Sequence, residues 1–176
     1  MIETKRLLLR HWKNEDFLPF FAINSHPKVC QYLPKRLTES ESNELANKII
    51  QKFDTQGFGC FAIERKDTGT FIGYTGLNIP NFDAPFMPNV EILWRLGVDH
   101  WGQGFATEAA LAVIDYAFDE LERSEIVSFT VPKNTASRRV MEKIGLVYDP
   151  SSDFNHPDLP QNHRLSYHVL YRKRKK

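Results

Sequence analysis

The sequence contains little cysteine: Cys30 and Cys60 are the only two among 176 residues, and no CxxC pair is present. A disulfide framework and a cysteine zinc site are therefore not expected. The low cysteine content instead favours a reducing, cytoplasmic location. No histidine partner can be assigned to either thiol from the sequence, so a covalent cysteine mechanism has no support. Both side chains are expected to be small buried groups.

Long apolar runs are also missing. No stretch approaches the roughly 20 apolar residues that a membrane helix needs. The opening residues, MIETKRLLLRHW, lack the apolar segment and cleavage site of a signal peptide. A membrane protein is therefore not expected. With 41% apolar and 26% charged residues, the composition is typical of a globular protein. The length suits a single domain, 1–176, with its own core.

The net charge of +1 conceals an asymmetry along the chain. The last five residues, RKRKK, are all basic, and the rest of the chain has 18 basic against 22 acidic residues. We therefore expect a short basic tail at 172–176. Such a tail could contact nucleic acid or an acidic partner, or it could be an ordinary solvated terminus.

Hydrophobic periodicity predicts a succession of strands and helices. A helix is expected after Asn14, which can cap it, and the turn signal KDTG predicts a hairpin. Because βαβ units pair in parallel and hairpins pair antiparallel, we expect an α/β fold with a mixed sheet and helices on both faces. Strands are predicted at 4–11, 59–65, 70–79, 89–98, 126–131 and 164–171, and further helices around 45–53 and at 105–122 and 134–144.

The stretch DHWGQGFATEA, 99–109, lies between a predicted strand and a predicted helix. Gly102 and Gly104 can adopt backbone angles closed to other residues, and the first amides of the helix have no intrahelical partner. Together these features predict a site for an anion, typically a phosphate. A tight turn that binds nothing is the alternative reading of the glycines alone.

Other motifs that use glycine or metal ligands do not fit. A P-loop needs Lys-Ser/Thr after its last glycine, and a dinucleotide fold needs GxGxxG early in the chain. The patterns GxSxG, HExxH and EF-hand are absent. His156, His163 and His168 have no common zinc spacing, so no metal site is expected.

A second motif, NTASRRVMEKIGL at 134–146, follows a strand and opens a helix. Together with WGQGFA at 101–106 it resembles the GNAT superfamily, the acetyl-CoA-dependent N-acetyltransferases. WGQGFATEA, NTASRRVMEKIGL and the opening TKRLLLR are similar to the branch of ribosomal-protein N-terminal acetyltransferases. Trp101 stands where Gln or Arg is usual, and Leu146 where Phe is usual. Both are mild departures from the family pattern.

The resemblance implies a GNAT-like acyl-CoA N-acyltransferase fold with a mixed, mostly antiparallel sheet. It further implies that acetyl-CoA lies where the strands 89–98 and 126–131 separate, with no metal required. Asn134 would hydrogen-bond the pantetheine. The backbone of Leu96, Gly97 and Val98 would pair with the pantetheine, and the amides of Gly102, Gln103, Gly104, Phe105, Ala106 and Thr107 would hold the pyrophosphate.

Glu91 is the candidate general base, because an amine must lose its proton before it can attack a thioester. Strand alternation places Val90 and Ile92 on one face and Glu91 on the other. In a partly apolar cleft its pKa would rise toward a useful range. A solvent-facing strand glutamate is the alternative, and a bulge in the strand would change the assignment.

Most members of the superfamily carry a tyrosine where this chain has Met141, which has no proton to give. Ser137 lies one helical turn after Asn134 and is the candidate to hydrogen-bond the leaving sulfur. Its alternative role is a local backbone contact. Tyr148 is the reserve candidate, and a backbone N–H near Leu96 would stabilise the oxyanion.

The function expected from these residues is transfer of an acetyl group to a primary amine, by direct attack in a ternary complex. The acceptor could be a protein N-terminus, such as that of a ribosomal protein, or a small amine. The acidic residues of 149–163 could attract a cationic acceptor, and loop 79–89 could line an entrance. A non-catalytic acetyl-CoA sensor and a ribosome- or RNA-associated protein that docks through the basic tail are the alternatives. No specific nucleic-acid binding is expected, and monomer and homodimer both stay open.

Overall fold

The computed structural model describes residues 1–175. Within this range nine strands form one sheet in the order β1-β2-β3-β4-β5-β6-β9-β7, with β8 paired to β9. The strands are β1 (Ile2–Glu3), β2 (Leu7–Arg10), β3 (Cys60–Arg65), β4 (Phe71–Asn78), β5 (Val90–Leu96), β6 (Glu125–Thr130), β7 (Val147–Tyr148), β8 (Phe154–Asn155) and β9 (Tyr167–Arg174). The helices are α1 (Phe17–Ser25), α2 (Glu39–Gln56), α3 (Phe105–Asp115) and α4 (Thr135–Lys143).

The sheet is mixed and mostly antiparallel, which confirms the predicted fold class. Only β5 and β6 are parallel neighbours, and they pair at just two positions, Val90 with Ile126 and Glu91 with Val127. Beyond these positions β6 continues in register with β9 alone, as far as Thr130 opposite Val169. A gap therefore opens between β5 and β6 toward their carboxyl ends, which lie at the same edge because the strands are parallel.

Helices cover both faces of the sheet, as predicted. On one face α3 and α4 pack on β5 and β6, and their core includes Val90, Ile92, Val113 and Ile144. On the other face α1 and α2 pack on β3 and β4 through a second core, with Phe20, Ile49, Cys60 and Tyr74 among its members. Each face is apolar where a helix lies on it, so burial of side chains holds the helices in place.

An aromatic layer covers β6 and β9 on the α1–α2 face. Loop 79–89 supplies Phe82 and Phe86, which pack against Phe129 and Phe154. His156 and His168 lie beside them with ring centroids 5.3 Å apart. Burial lowers the pKa of both imidazoles, so the layer is neutral near pH 7. Loop 79–89, which was expected to line an entrance, therefore packs on this face of the sheet.

Element boundaries differ from the prediction in places where tertiary pairing decides them. The first strand is divided into β1 and β2, the last strand is shifted to Tyr167–Arg174, and the short strands β7 and β8 were not predicted. The third helix ends at Asp115 and continues as a π-helical turn, Tyr116–Glu120.

The expected basic tail is largely strand. Residues 172–174 belong to β9, where Arg174 lies opposite Glu125. Arg172 contacts the carboxylates of Glu125 and Asp149 at 2.7 and 2.6 Å, and Arg174 contacts Glu125 at 2.7 Å. Lys176, the last residue of the predicted tail, lies outside the described residues. Arg172 and Arg174 therefore form ion pairs with carboxylates of the same molecule.

A buried ion pair connects β2 to the start of α1. Arg10 is only 6% exposed, and its guanidinium donates to both carboxylate oxygens of Asp16, at 2.7 and 2.9 Å. Glu64 accepts a third hydrogen bond from Arg10 Nε at 2.6 Å. These carboxylates raise the pKa of the guanidinium further above its ordinary value. Asp16 also accepts the backbone N–H of Lys13 at 2.8 Å.

Replacing Asp16 by asparagine is expected to reduce the free energy of unfolding by about 3 kcal/mol, because it leaves the buried Arg10 charge partly unpaired. Urea unfolding followed by fluorescence measures the change. The matched control is Asp67→Asn, which breaks a solvent-exposed pair with Arg65 and should have little effect. Equal losses in the two variants would contradict a stabilising role for the buried pair.

Candidate active site

The glycine loop ends in two left-handed residues that turn the chain into α3. Gly102 and Gly104 have φ of +72° and +82°, and α3 begins directly after Gly104 without a side-chain cap. No backbone hydrogen bond among residues 1–175 uses the N–H of Phe105, Ala106 or Thr107. These first amides of α3 are therefore free to bind an anion.

Arg6, in the bend between β1 and β2, holds this loop in place, a role that was not predicted from the sequence. Its Nη1 donates to the carbonyl of Gln103 at 2.9 Å, and its Nε contacts Glu108 at 2.6 Å. The guanidinium also lies 4.4 Å from the ring centroid of Phe105. Gln103 itself donates to the carbonyl of Asp99 at 2.8 Å, so its side chain braces the loop. The opening TKRLLLR thus supports the loop directly.

The backbone of β5 beside the gap is partly occupied already. The N–H of Gly97 donates to Ile72 of β4 at 3.0 Å, so the alternation of a strand turns the N–H and C=O of Leu96 toward the gap. The indole Nε1 of Trp101 donates to the Leu96 carbonyl at 2.8 Å. The carbonyls of Gly97 and Val98 accept from His100 and Trp101. Among the described residues this leaves the N–H groups of Leu96 and Val98 as donors without an intramolecular acceptor.

The backbone of Leu96, Gly97 and Val98 was expected to pair with the pantetheine. Only two of its groups, the N–H of Leu96 and the N–H of Val98, are left to bind it. Trp101, which stands where Gln or Arg is usual in the family, has a physical consequence. Its indole N–H occupies the Leu96 carbonyl, which is then not available to accept a hydrogen bond from a ligand. An N–H at Leu96 facing the gap fits the place predicted for an oxyanion donor.

Glu91 lies on β5 at the closed end of the gap. Its register with Asn78 of β4 and Val127 of β6 is regular, and no bulge interrupts the β4–β5 ladder. Glu91 faces α1 and α2, whereas Val90 and Ile92 belong to the core under α3. The alternation predicted from the sequence therefore describes the strand correctly.

The surroundings of Glu91 raise the pKa of its carboxyl group to about 7. Burial is the dominant cause, and a hydrogen bond from Asn78 Nδ2 at 3.1 Å and the charge of Lys52 oppose it. Lys52 Nζ donates to Asn78 Oδ1 at 2.7 Å, so no cation contacts the carboxylate directly. A carboxyl group with this pKa can accept a proton near neutral pH.

Asn134 and Ser137 lie at the start of α4, beyond the carboxyl end of β6. The side-chain oxygen of Asn134 accepts from the Ser137 N–H at 3.3 Å, and its amide donates to the Thr130 hydroxyl at 3.0 Å. Asn134 is thus the N-cap of α4, with one amide hydrogen left for a ligand. The Ser137 hydroxyl makes no hydrogen bond among the described residues.

Tyr148 is not brought to the gap. It lies on β7, which β9 separates from β6, and its hydroxyl donates to Asp153 at 2.7 Å. That hydrogen bond raises the pKa of the phenol to about 12. Met141, at the position of the usual tyrosine, is buried in the core under the sheet. Of the two residues considered as hydrogen-bond donors to the leaving sulfur, only Ser137 lies at the edge of the sheet where the gap opens.

Comparison with known proteins agrees with this geometry. The model of the acetyltransferase (GNAT) domain matches residues 6–147. The chain belongs to the GNAT family. It is 33% identical over 150 residues to the uncharacterized N-acetyltransferase YoaA of Bacillus subtilis, covering 82% of this chain and 81% of the relative. It is 35% identical over 166 residues to an FsC-acetyl coenzyme A-N(2)-transacetylase of Aspergillus fumigatus, covering 90% and 69%.

A solved structure of a GNAT-family acetyltransferase from Bacillus anthracis has the same fold. It superposes with a TM-score of 0.81 at 25% identity, and the match covers 98% of this chain and 97% of that one. The GNAT fold, the acetyltransferase class and the ordered pair of motifs are therefore consistent with each other. The names of these relatives do not identify the acceptor of this chain.

The residues present fit the acetyl-CoA that GNAT acetyltransferases use. The free amides of α3 match a diphosphate, and the N–H groups of Leu96 and Val98 face the gap in which a pantetheine would lie. Among residues 1–175, no group of three or more histidine, cysteine, aspartate or glutamate side chains could hold a metal ion. No helix in the same range has the length and apolar character of a membrane span.

Proposed function

We propose that this GNAT protein transfers the acetyl group of acetyl-CoA to a primary amine by direct attack in a ternary complex. The observation that carries the proposal is Glu91, a partly buried carboxylate with a pKa of about 7 beside the gap. It faces α1 and α2, on the side away from α3 and α4. An amine bound on this side would lie on the face of β5 that carries the proposed base.

The donor would be held mainly by backbone. We assign the pyrophosphate to the amides of Gly102, Gln103, Gly104, Phe105, Ala106 and Thr107, and the pantetheine to Leu96, Val98 and Asn134. Arg6 keeps the loop in place through Gln103. Acetyl-CoA supplies the activated acetyl group, and the protein groups orient it and manage the protons.

Three groups of the chain would carry the chemistry. Glu91 receives the proton of the attacking ammonium through a chain of water molecules, because five residues of strand, about 16 Å, separate its Cα from that of Leu96. The Leu96 N–H donates to the oxygen of the acetyl carbonyl as negative charge develops there. The Ser137 hydroxyl donates a hydrogen bond to the leaving sulfur. Because Tyr148 is bound to Asp153 at the far edge, it is not assigned this role.

The finer identity of the reaction is also a proposal. The motif resemblance to ribosomal-protein N-terminal acetyltransferases supports a protein N-terminus as one acceptor class, and a small amine is the other. The cytoplasm is the proposed location, because Cys30 and Cys60 are both free thiols. A ribosome- or RNA-docking function through the C-terminus is the alternative, although Arg172 and Arg174 already pair with carboxylates of the chain itself.

Thiol release tests the proposal. Purified protein with acetyl-CoA and a panel of primary amines is expected to release free CoA in step with amide formation, and the Ser137→Ala variant is expected to do so about tenfold more slowly. A sensor would bind acetyl-CoA, as measured by calorimetry, yet release no thiol with any amine or peptide N-terminus. That result would contradict the enzyme function and identify the protein as an acetyl-CoA-binding module.

A further inference from the structure

A small cationic cavity opens on the same side of the molecule as Glu91. Its volume is about 280 Å³, and it lies between the segment that joins α1 to α2 and the loop that precedes β9. Its basic side chains are Lys35, Arg36 and Arg164, with the Cys30 thiol among the other lining groups. The cavity is thus bounded by two connecting segments that flank the α1–α2 face.

Arg95 extends this positive charge toward Glu91. Arg95 lies on β5 four residues after Glu91. Because side chains alternate along a strand, both are on the α1–α2 face. Its Nη1 donates to Asn24 Oδ1 at 2.6 Å, and its guanidinium lies 5.5 Å from the ring centroid of Tyr74. No carboxylate among residues 1–175 forms an ion pair with Arg95, although it is half-buried.

The cavity and Arg95 belong to one region. Asn24 contacts Arg95 through its side chain, and its carbonyl accepts from the Cys30 thiol at 2.9 Å. Cys30 and Arg36 line the same cavity, so Asn24 connects this cavity to Arg95.

Two of the three acids of 149–163 already have partners on the protein. Asp149 is paired with Arg172, and Asp153 accepts from two tyrosine hydroxyls. Lys35 is the one cation of the cavity with an acidic partner, Glu41, while Arg36 and Arg164 have none among the described residues. Asp158 is the one acid of 149–163 whose carboxylate has no ion pair or hydrogen bond among the described residues.

We propose that the acceptor carries an anionic group, a carboxylate or a phosphate, which Arg95 and Arg36 bind while the amine lies between Arg95 and Glu91. This inference rests on the proposed function, because it takes Glu91 as the base that receives the proton of the amine. Four residues of strand separate the Cα atoms of Glu91 and Arg95, about 13 Å. The anion would therefore be several bonds from the amine, farther than the carboxylate of a free amino acid is from its own α-amine.

A matched series of acceptors tests this charge preference. Hexylamine, 6-aminohexanoate and 1,6-diaminohexane share one chain length and one reacting amine, and their far ends are neutral, negative and positive. With saturating acetyl-CoA, kcat/KM for 6-aminohexanoate is expected to exceed that for hexylamine at least tenfold, about the effect of a hydrogen bond to a charged group. The diamine should be the poorest of the three. Equal values, or a preference for the diamine, would overturn the proposal.

Variants assign the preference to particular residues. In Arg95→Gln the ratio of the two kcat/KM values should fall to within about threefold of one, and Arg36→Gln should lower it less. Arg174→Gln is the matched control, because Arg174 pairs with Glu125 at the amino end of β6, away from Arg95 at the carboxyl end of β5, and its loss should leave the ratio unchanged. A ratio that survives Arg95→Gln would contradict the assignment. A fourth acceptor, 6-aminohexyl phosphate, shows whether carboxylate or phosphate is preferred.

A binding measurement keeps this inference separate from the proposed function. Calorimetry with CoA and either 6-acetamidohexanoate or N-hexylacetamide needs no turnover, and the carboxylate is expected to bind at least tenfold more tightly to the wild type. If no amine is acetylated but this difference is present, the proposed function fails and the anion site stands. Equal binding of the two amides would refute the anion site even in an active enzyme.

Discussion

Replacement of Glu91 by glutamine is expected to lower kcat/KM for amine acetylation by about 10²–10⁴, the usual contribution of a positioned general base. Glutamine has nearly the same shape and can keep the contact with Asn78, but it cannot accept a proton. The affinity for acetyl-CoA should change little, because the donor contacts lie at the other end of the gap. Steady-state kinetics and calorimetry together measure both effects.

The pH profile separates loss of the base from loss of structure. The active form of Glu91 is the carboxylate, so wild-type kcat/KM should rise as the pH passes through about 7, the pKa of the group. The variant should lack this step and keep only the rise that comes from deprotonation of the free amine. A step near pH 7 that persists in Glu91→Gln would show that another group is the base.

Stability provides an independent control with a definite sign. Glu91 has a pKa of about 7 in the folded protein against 4.5 as its ordinary value. The folded state therefore holds a proton that the unfolded state has lost between these two values, and wild-type stability falls as the pH rises through this window. Glutamine does not ionise, so the variant should gain on the wild type over the same window, by up to about 3 kcal/mol at pH 8. Thermal unfolding at pH 4 and pH 8 measures the difference.

Glu91 also shows how far the sequence alone could reach. The alternation of Val90, Glu91 and Ile92 predicted its face correctly, because a strand with one apolar face has a single workable register. The rise of its pKa depends on burial beneath helices that come from distant segments, which no local pattern contains. Arg95 follows the same alternation as Glu91, yet its lack of a carboxylate partner could be seen only after α1 and its Asn24 were in place.

The errors have a common physical origin. The basic residues at the C-terminus were interpreted from charge alone, whereas the register of β9 against β6 brings Glu125 opposite Arg174. Tyr148 was close to the motif in sequence, but the turn after α4 directs it to the edge strand β7. Trp101 was expected to be a mild departure from the family pattern, and the structure adds that its indole donates to the Leu96 carbonyl five residues earlier. For the basic residues and for Tyr148, pairing with a strand distant in sequence decided the outcome.

The glycine loop yields the second large prediction. Gly102→Asp is expected to raise the Kd for acetyl-CoA at least a hundredfold, because a carboxylate would lie beside the free amides of α3 and repel the diphosphate. Gly102 has φ +72°, and a Cβ placed there would meet no atom within 4 Å, so the substitution causes no steric clash in the protein itself. Calorimetric titration with acetyl-CoA measures the loss.

Gly69→Asp is a closely matched control for that experiment. Gly69 has φ +67° and equally open surroundings, but it lies in the turn between β3 and β4. Both variants should therefore lose a similar amount of stability, about 1 kcal/mol from the left-handed backbone, while only Gly102→Asp should lose affinity. If both variants bind acetyl-CoA like the wild type, the loop is a turn and not the phosphate site. If both lose affinity equally, backbone strain and not charge at the helix N-terminus is the cause. A loss confined to Gly102→Asp would identify these amides as the groups that meet the diphosphate, and would explain why two glycines precede α3.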